Sequence, residues 1–263
     1  MQNNKTITIL CWNVNGLRAI LKKGFLDFLL EEKPDIMGIQ ETKLQENQIP
    51  QEIMAPEGYN SAWSFAEKKG YSGTAVFYRN EPLNIKVTGF EHDILNREGR
   101  VIEMEYPEFT LFNIYFPNGQ MSEERLQYKL KFYDDCLEYF NSLKEKGKKL
   151  IITGDFNTAH KEIDLKNPKS NEDRSGFLPI ERAWIDKLIS CGYVDTFRMF
   201  NNEPDQYTWW TYRFRAREKN VGWRIDYFFV TENLAEQVAD SYIMSNIYGS
   251  DHCPIGLKIK SPR

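Results

Sequence analysis

Apolar residues fall in short runs along the chain, at residues 7–11, 36–39, 75–78, 111–115, 150–152, 227–230 and 255–259. Each run suits a buried strand and is too short for a helix. Between them the period changes. Residues 24–31 bring Phe25, Leu26, Phe28, Leu29 and Leu30 together and stop before Lys33 and Pro34, where proline ends a helix. Residues 122–146 carry Leu126, Leu130, Tyr133, Leu137 and Phe140 at helical spacing, behind Ser122 as N-cap with Glu123 and Glu124 in the first turn. A third helix is predicted over residues 180–190, closing near Gly192.

Polar residues at the strand boundaries say more than the strands themselves. Residues 7–11 run into Asn13 and Asn15, 36–39 into Glu41, 111–115 into Asn118, and 150–152 into Asp155 and Asn157. Two later strands instead begin with such groups, Asp226 before 227–230, and Asp251 with His252 before 255–259. If these two run antiparallel to the others, starts and ends meet at one edge, which a mixed α/β architecture of two packed sheets permits better than a purely parallel sheet. No Gly-rich phosphate loop argues for a nucleotide cofactor. No repeat or Pro/Gly/Ser-rich linker divides the chain, so residues 1–263 read as a single domain.

With 263 residues, 41% of them hydrophobic, the chain can fill a core that buries roughly 70–75% of its unfolded surface. Cys11, Cys136, Cys191 and Cys253 lie far apart without CxxC spacing, arguing against a disulfide framework or zinc ribbon and for a reducing compartment. No apolar run reaches the ~18 residues of a membrane span, and no signal peptide opens the chain. The triplet at Asn4 to Thr6 is therefore read as a chance glycosylation match.

Lys and Arg number 34 against 38 Asp and Glu, a net charge of −4 that at first argues against a polyanionic partner. Net charge averages the whole surface, however. Between Tyr207 and Arg224 the chain sets Arg213, Arg215, Arg217, Lys219 and Arg224 against Glu218 alone, interleaved with Trp209, Trp210, Tyr212, Phe214 and Trp223. Four acids (Glu41, Asp155, Asp226, Asp251), His252 and several Asn side chains share the expected edge. Carboxylates with amide oxygens suit Mg²⁺ or Mn²⁺ rather than zinc, and gathered carboxylates repel one another without a cation or a chemical role. Of the histidines, His92 reads as solvated and His160 has no evident partner; His252 is the candidate for acid, base or phosphate contact.

Several of these residues lie in motifs: WNVNGLR at 12–18, QETK at 40–43, YFPN at 115–118, GDFN at 154–157, IDLKNPK at 163–169, NVGWRID at 220–226 and GSDHCP at 249–254. Together, in order and across nearly the whole chain, they resemble the exonuclease III family of abasic-site endonucleases. GDFN and SDH alone would also fit sphingomyelinases, inositol polyphosphate phosphatases and pancreatic-type DNases of the same superfamily; NPK and VGWR narrow the resemblance to the DNA-repair branch. It implies a four-layered α/β sandwich and Mg²⁺-dependent hydrolysis of duplex DNA on the 5′ side of abasic sites, with Mn²⁺ as a substitute. Exonuclease action from the 3′ end and cleaning of blocked 3′ ends often accompany it.

The resemblance also implies roles. Glu41 becomes the principal metal carboxylate, with Asn13 and Asp251 beside it. Asp155 activates the attacking water and Asn157 holds that water or a phosphate oxygen. His252, oriented by Asp226, donates to the phosphate, with Tyr115 and Asn167 stabilising the pentacovalent state; whether Asp155 or His252 is the base, and whether one metal or two are used, stays open. Trp209, Trp223 and Ile225 occupy the pocket that would accept a baseless sugar. Arg213 and Met121 stand where relatives insert side chains into the helix, and Lys43, Arg18, Asn118, Asn171 and Arg217 are expected to contact DNA. Two departures limit the transfer: Asn15 stands where some relatives have Asp, and no N-terminal extension precedes the first strand. The competing readings are a phosphodiesterase acting on lipid or small phosphate esters, a nuclease that also cuts at deaminated bases, and a DNA-binding relative without catalysis. A monomer in a prokaryotic cytoplasm, associated with the nucleoid, is the expected form.

Overall fold

The computed structural model describes residues 6–87 and 97–260, so that His92 and Asn4 lie outside the described residues. In chain order the strands are β1 (Thr6–Asn13), β2 (Ile36–Gln40), β3 (Asn60–Ser64), β4 (Thr74–Tyr78), β5 (Asn84–Lys86), β6 (Val101–Glu105), β7 (Thr110–Tyr115), β8 (Leu150–Asp155), β9 (Tyr193–Asp195), β10 (Asp226–Thr231), β11 (Val238–Ile243) and β12 (Ile255–Lys260). The helices are α1 (Leu17–Leu21), α2 (Phe25–Glu32), α3 (Gln51–Met54), α4 (Glu123–Glu145), α5 (Pro179–Ser190), α6 (Thr196–Phe200) and α7 (Glu232–Ala235). All seven expected strands and all three expected helices form.

Two six-stranded sheets result, ordered β11-β12-β1-β2-β4-β3 and β5-β6-β7-β8-β10-β9. Each has a parallel pair at its centre, β1 with β2 and β7 with β8, flanked by antiparallel strands. Strands buried on both faces explain the unbroken apolar runs. Between the sheets lie Ile9, Val76, Leu111, Ile151, Phe228 and Leu257. One outer face packs α1, α2 and α3 through Leu17, Phe25, Leu29 and Ile53; the other packs α4 and α5 through Phe132, Leu137, Phe140, Ile185 and Leu188. This is the four-layered sandwich. Helix α4 starts as expected, Ser122 Oγ accepting the Arg125 amide at 3.2 Å.

Antiparallel pairing puts the starts of β10 and β12 beside the ends of their neighbours, so Asp226 stands opposite Asp155 and Ile255 opposite Cys11. The edge expected from strand polarity therefore exists. Gly154 permits the close approach of β8 to β7 there: a Cβ would sit 1.7 Å from the Ile114 carbonyl.

A buried network braces the chain just before Asp226. Arg224, 1% exposed, donates to Asp164 at 2.8 Å and Asp195 at 2.7 Å, and Arg198 also donates to Asp164 at 2.5 Å. Burial would raise the Asp164 pKa, but Arg224 and Arg198 overcome it and hold the value at about 2. A carboxyl with a depressed folded-state pKa stabilises above its unfolded value of about 3.9 and loses that contribution as the pH falls through its folded value. Asp164→Asn is therefore expected to cost roughly 3 kcal/mol in urea unfolding at neutral pH. The gap from the unmodified protein should narrow below about pH 4. A gap independent of pH would contradict the network's ionic origin.

Candidate active site

Six strand ends deliver the polar cluster. Asn13 Nδ2 donates to Asp155 Oδ2 at 2.9 Å and Glu41 Oε1 at 3.1 Å, and Tyr115 OH donates to Glu41 Oε1 at 2.6 Å. Asn157 holds Asp155 from both sides, its amide N–H on Oδ1 at 2.8 Å and its Nδ2 on Oδ2 at 3.3 Å. Its φ of 52° wraps the chain back over the carboxylate. His252 Nδ1 bonds Asp226 Oδ2 at 2.8 Å, and Thr208 Oγ1 donates to the same oxygen at 2.6 Å. His252 Nε2 stands 3.8 Å from Asp155 Oδ2, beyond hydrogen-bonding distance.

Burial sets the electrostatics, with Asp155, Asp226 and His252 all at 4% exposure or less. Desolvation raises the Asp155 pKa to about 7; the Asp226 charge adds to it, against the lowering effect of His252. Desolvation alone would lower that of His252, but Asp226 and Asp155 outweigh it and push the value up to about 10. The two carboxylates thus favour the protonated ring. Burial would also raise the pKa of Glu41, yet Lys43, Tyr115 and Asn13 hold it below the usual carboxylate range. Tyr115 moves well upward through burial and the Glu41 charge, so it remains a donor.

Four carboxylates (Glu41, Asp155, Asp226, Asp251) face two cations in ion-pair contact, Lys43 2.9 Å from Glu41 and protonated His252. Even with Asp155 partly protonated near neutral pH, the acids outnumber the two cations, a net negative charge that a divalent cation would offset. The donors are mostly oxygens, matching a hard cation. Asp155, Asp226 and His252 also bring one ligand atom each within 4.8 Å of one another. There, His252 Nδ1 already bonds Asp226 Oδ2.

A cleft of about 1080 Å³ opens over this edge and reaches Trp209, Trp223 and Ile225. Trp209 and Trp223 meet edge to face, 6.3 Å between centroids at 86°, and Phe177 packs on the far side of Trp223. Backbone bridges tie Trp209 to both Trp223 and His252, so the pocket wall and the catalytic edge share one framework. The Trp209 indole N–H also donates to Asp251 Oδ2 at 3.1 Å, and Asn15 Nδ2 to Oδ1 at 2.9 Å. Asn167 lines the cleft at a φ of 61°, and Asn171 beside it donates to the Asn167 carbonyl. Arg213, exposed, lines the cleft, and Met121, 87% exposed, lies between the lining residues Gln120 and Ser122. Arg18 lies exposed on α1 outside the cleft.

Four of the expected residues have partners the sequence did not show. Asn13 Oδ1 accepts the Asn15 amide at 2.9 Å, which turns its nitrogen toward the carboxylates, so Asn13 bridges Glu41 and Asp155. Lys43 sits on Glu41 and Asn15 Oδ1 with about a third of its side chain exposed. Arg217 donates to the carbonyls of Ser245, Ile247 and Ser250 and stacks on Trp210 and Tyr248; it braces two loops and is not free for phosphate. Asn118 donates to Asn157 Oδ1 at 3.0 Å and supports the catalytic loop. His160, without an evident partner in sequence, bonds Asp186 at 2.9 Å. Sequence reasoning passed over Thr208 and Lys129, and named Phe214 only as one of the aromatics of the basic stretch. Phe214 is 82% exposed on the cleft rim at a φ of 61°, a signal that only the fold reveals.

The chain matches the family described as Endonuclease/Exonuclease/phosphatase family over residues 10–252. It is 44% identical to an exodeoxyribonuclease of Bacillus subtilis over 253 residues, covering 95% of this chain and 98% of the relative. It is also 44% identical to the DNA repair nuclease APEX1 of Danio rerio over 254 residues, 95% of this chain and 81% of that protein. Its fold superposes on an AP endonuclease from Archaeoglobus fulgidus with a TM-score of 0.88 at 28% identity, covering 97% of this chain and all of that one.

Proposed function

Because the chain belongs to the endonuclease/exonuclease/phosphatase family, we propose that its cleft cuts duplex DNA on the 5′ side of abasic sites, with Mg²⁺ as the cation. The chain is a DNA-repair nuclease of the exonuclease III and AP-endonuclease type, a divalent-metal hydrolase that acts on DNA. The finer reading rests on one observation: the aromatic pocket of Trp209, Trp223 and Ile225 opens directly onto Asp155 and His252. A sugar without a base fits such an apolar recess, and a normal nucleotide must be both unstacked and admitted. We further assign residues 1–263 to one catalytic domain acting as a monomer on nucleoid DNA, and 3′-end trimming to the same edge.

Glu41 and Asp251 would hold the cation. Bound there, it offsets charge developing on the phosphate and the leaving oxygen. Asp155, steered by Asn13 and Asn157, takes the proton of the attacking water. His252, held toward its charged form by Asp226 and Asp155, donates from Nε2 to a non-bridging oxygen, while Asp226, itself held by Thr208, fixes its ring. Tyr115 orients Glu41 through its hydroxyl. Asn167, Asn171, Arg213 and Met121 meet the flanking backbone and the gap left by the missing base.

The test is a labelled duplex with one abasic analogue, incubated in Mg²⁺ and in EDTA beside undamaged and uracil-containing duplexes. One Mg²⁺-dependent nick 5′ to the lesion is expected. Glu41→Gln should raise the Mg²⁺ needed for half-maximal rate by more than about tenfold. Turnover of small phosphate esters without any DNA cleavage would reject the reading.

A further inference from the structure

Lys129 lies on α4 with no exposed surface, outside the cluster described above. Its ammonium donates to the Asn157 carbonyl at 2.8 Å, to Thr158 Oγ1 at 2.8 Å and to Glu181 Oε1 at 2.6 Å, which uses all three of its protons. Glu181, equally buried, accepts from Ser175 Oγ at 2.8 Å and from the backbone N–H groups of Gly176 at 2.6 Å and Leu178 at 3.1 Å. The pair thus joins two loops that come from different parts of the chain. One is the turn after β8 that carries Asn157 over Asp155. The other backs the pocket: Gly176, at a φ of 99°, leaves a would-be Cβ only 3.2 Å from Trp223 and 3.3 Å from the Asn157 carbonyl.

One turn further along α4, Tyr133 OH donates to the Phe156 carbonyl at 2.6 Å, and the Tyr227 hydroxyl lies 2.9 Å from the carbonyl of Thr158. The carbonyls of residues 156 and 157 therefore end on buried side chains of α4, and Thr158 is held through its hydroxyl by Lys129. This fixes a non-glycine turn at positive φ, a conformation the backbone does not hold by itself. A buried ion pair is a poor source of stability, since an apolar pair of similar volume often does as well. What Lys129 and Glu181 supply is the spacing between the two loops.

We infer that Lys129 and Glu181 are positioning residues for catalysis, setting Asn157 over Asp155 and Gly176 behind Trp223; the inference rests on the nuclease reading above. Displacement of a steering group by about an ångström can cost up to roughly 10²-fold in turnover. The double variant Lys129→Met with Glu181→Gln removes both charges together and leaves neither stranded. It should fold with a cooperative melt, bind the abasic duplex in EDTA within about twofold of the unmodified protein, keep its KM, and lose at least about tenfold in kcat. Lys129→Arg should restore part of that loss. Tyr133→Phe, which removes one hydroxyl and no charge, should lower kcat alone by a few-fold and stands in if the double variant does not fold. Unchanged kcat in a folded double variant, or in Tyr133→Phe where the double variant does not fold, overturns the inference. Failure of the unmodified protein to nick the abasic duplex instead overturns the functional reading.

Discussion

Asp155→Asn should abolish nearly all turnover while leaving a protein that folds and binds DNA as well as before. A positioned general base contributes about 10²–10⁴-fold, so kcat on the abasic duplex should fall by that factor, or about 3–5 kcal/mol in barrier height. Asparagine keeps the shape and can keep the bond from the Asn157 backbone N–H on Oδ1; its NH2 replaces the oxygen that accepts from Asn13 and Asn157 Nδ2, and the acceptor of the proton is lost. Duplex affinity in EDTA should hold or improve, because a negative charge leaves a surface that meets phosphates. Stability should move the other way from activity. Asp155 has a folded-state pKa raised by burial from the usual carboxylate range to about 7. Between about pH 4 and 7 the folded state therefore binds a proton that the unfolded chain has released, and stability falls as the pH rises through that window. The neutral amide escapes this cost. In EDTA at pH 8, Asp155→Asn should melt no lower than the unmodified protein, and a clearly lower melt would remove Asp155 from its assigned place as an uncompensated buried charge.

The same cluster shows which parts of the protein were legible in the chain and which needed the fold. Strands buried on both faces announce themselves as apolar runs, as in β1, β2, β8 and β10. The five strands passed over lack an unbroken apolar run or are very short: β3 reads NSAWS, β6 reads VIEME, β11 reads VADSYI, and β5 and β9 have three residues each. Their pairing depends on neighbours already in place, and tertiary context decides it. For the site, the polarity of strand ends carried the argument: a carboxylate at the end of β8 and another at the start of β10 meet only if the two strands are antiparallel, and they are.

Contacts between side chain and backbone were out of reach. Arg217 looked like a phosphate contact because a basic, aromatic stretch surrounds it, yet three loop carbonyls claim its guanidinium. Asn13 looked like a ligand because it ends a strand, yet one hydrogen bond from Asn15 decides which end of its amide faces the acids. For Lys129 a signal existed: it precedes Tyr133 by four residues, so it shares the buried stripe of α4. A lysine on such a stripe requires a partner, and which one only the packing of α4 against α5 discloses.

His252 provides the sharpest separation between the two candidate proton carriers. Its pKa is pushed up to about 10 because Asp226 and Asp155 outweigh the desolvation that would lower it. If it serves as the charged donor, kcat/KM should fall above about pH 10 as the imidazolium loses its proton. The acid limb, at or below about pH 7, would then belong to Asp155, with both midpoints read as apparent values of an interacting pair. His252→Gln should lower the plateau by about 10²–10³-fold, the scale of a single lost donor to a developing oxyanion, and should erase the alkaline limb. Asp226→Asn removes the larger of the two charges that hold the proton, so it should move that limb downward in pH while retaining a measurable plateau. Stability carries the same sign. A histidine with a raised folded-state pKa stabilises fully below its unfolded value near 6.5 and loses that contribution as the pH climbs toward 10. The unmodified protein in EDTA should therefore lose stability across this window more steeply than His252→Gln. An alkaline limb that persists unchanged in His252→Gln would transfer the donor role to Tyr115, the other buried hydroxyl or ring N–H that reaches Glu41 and lines the cleft.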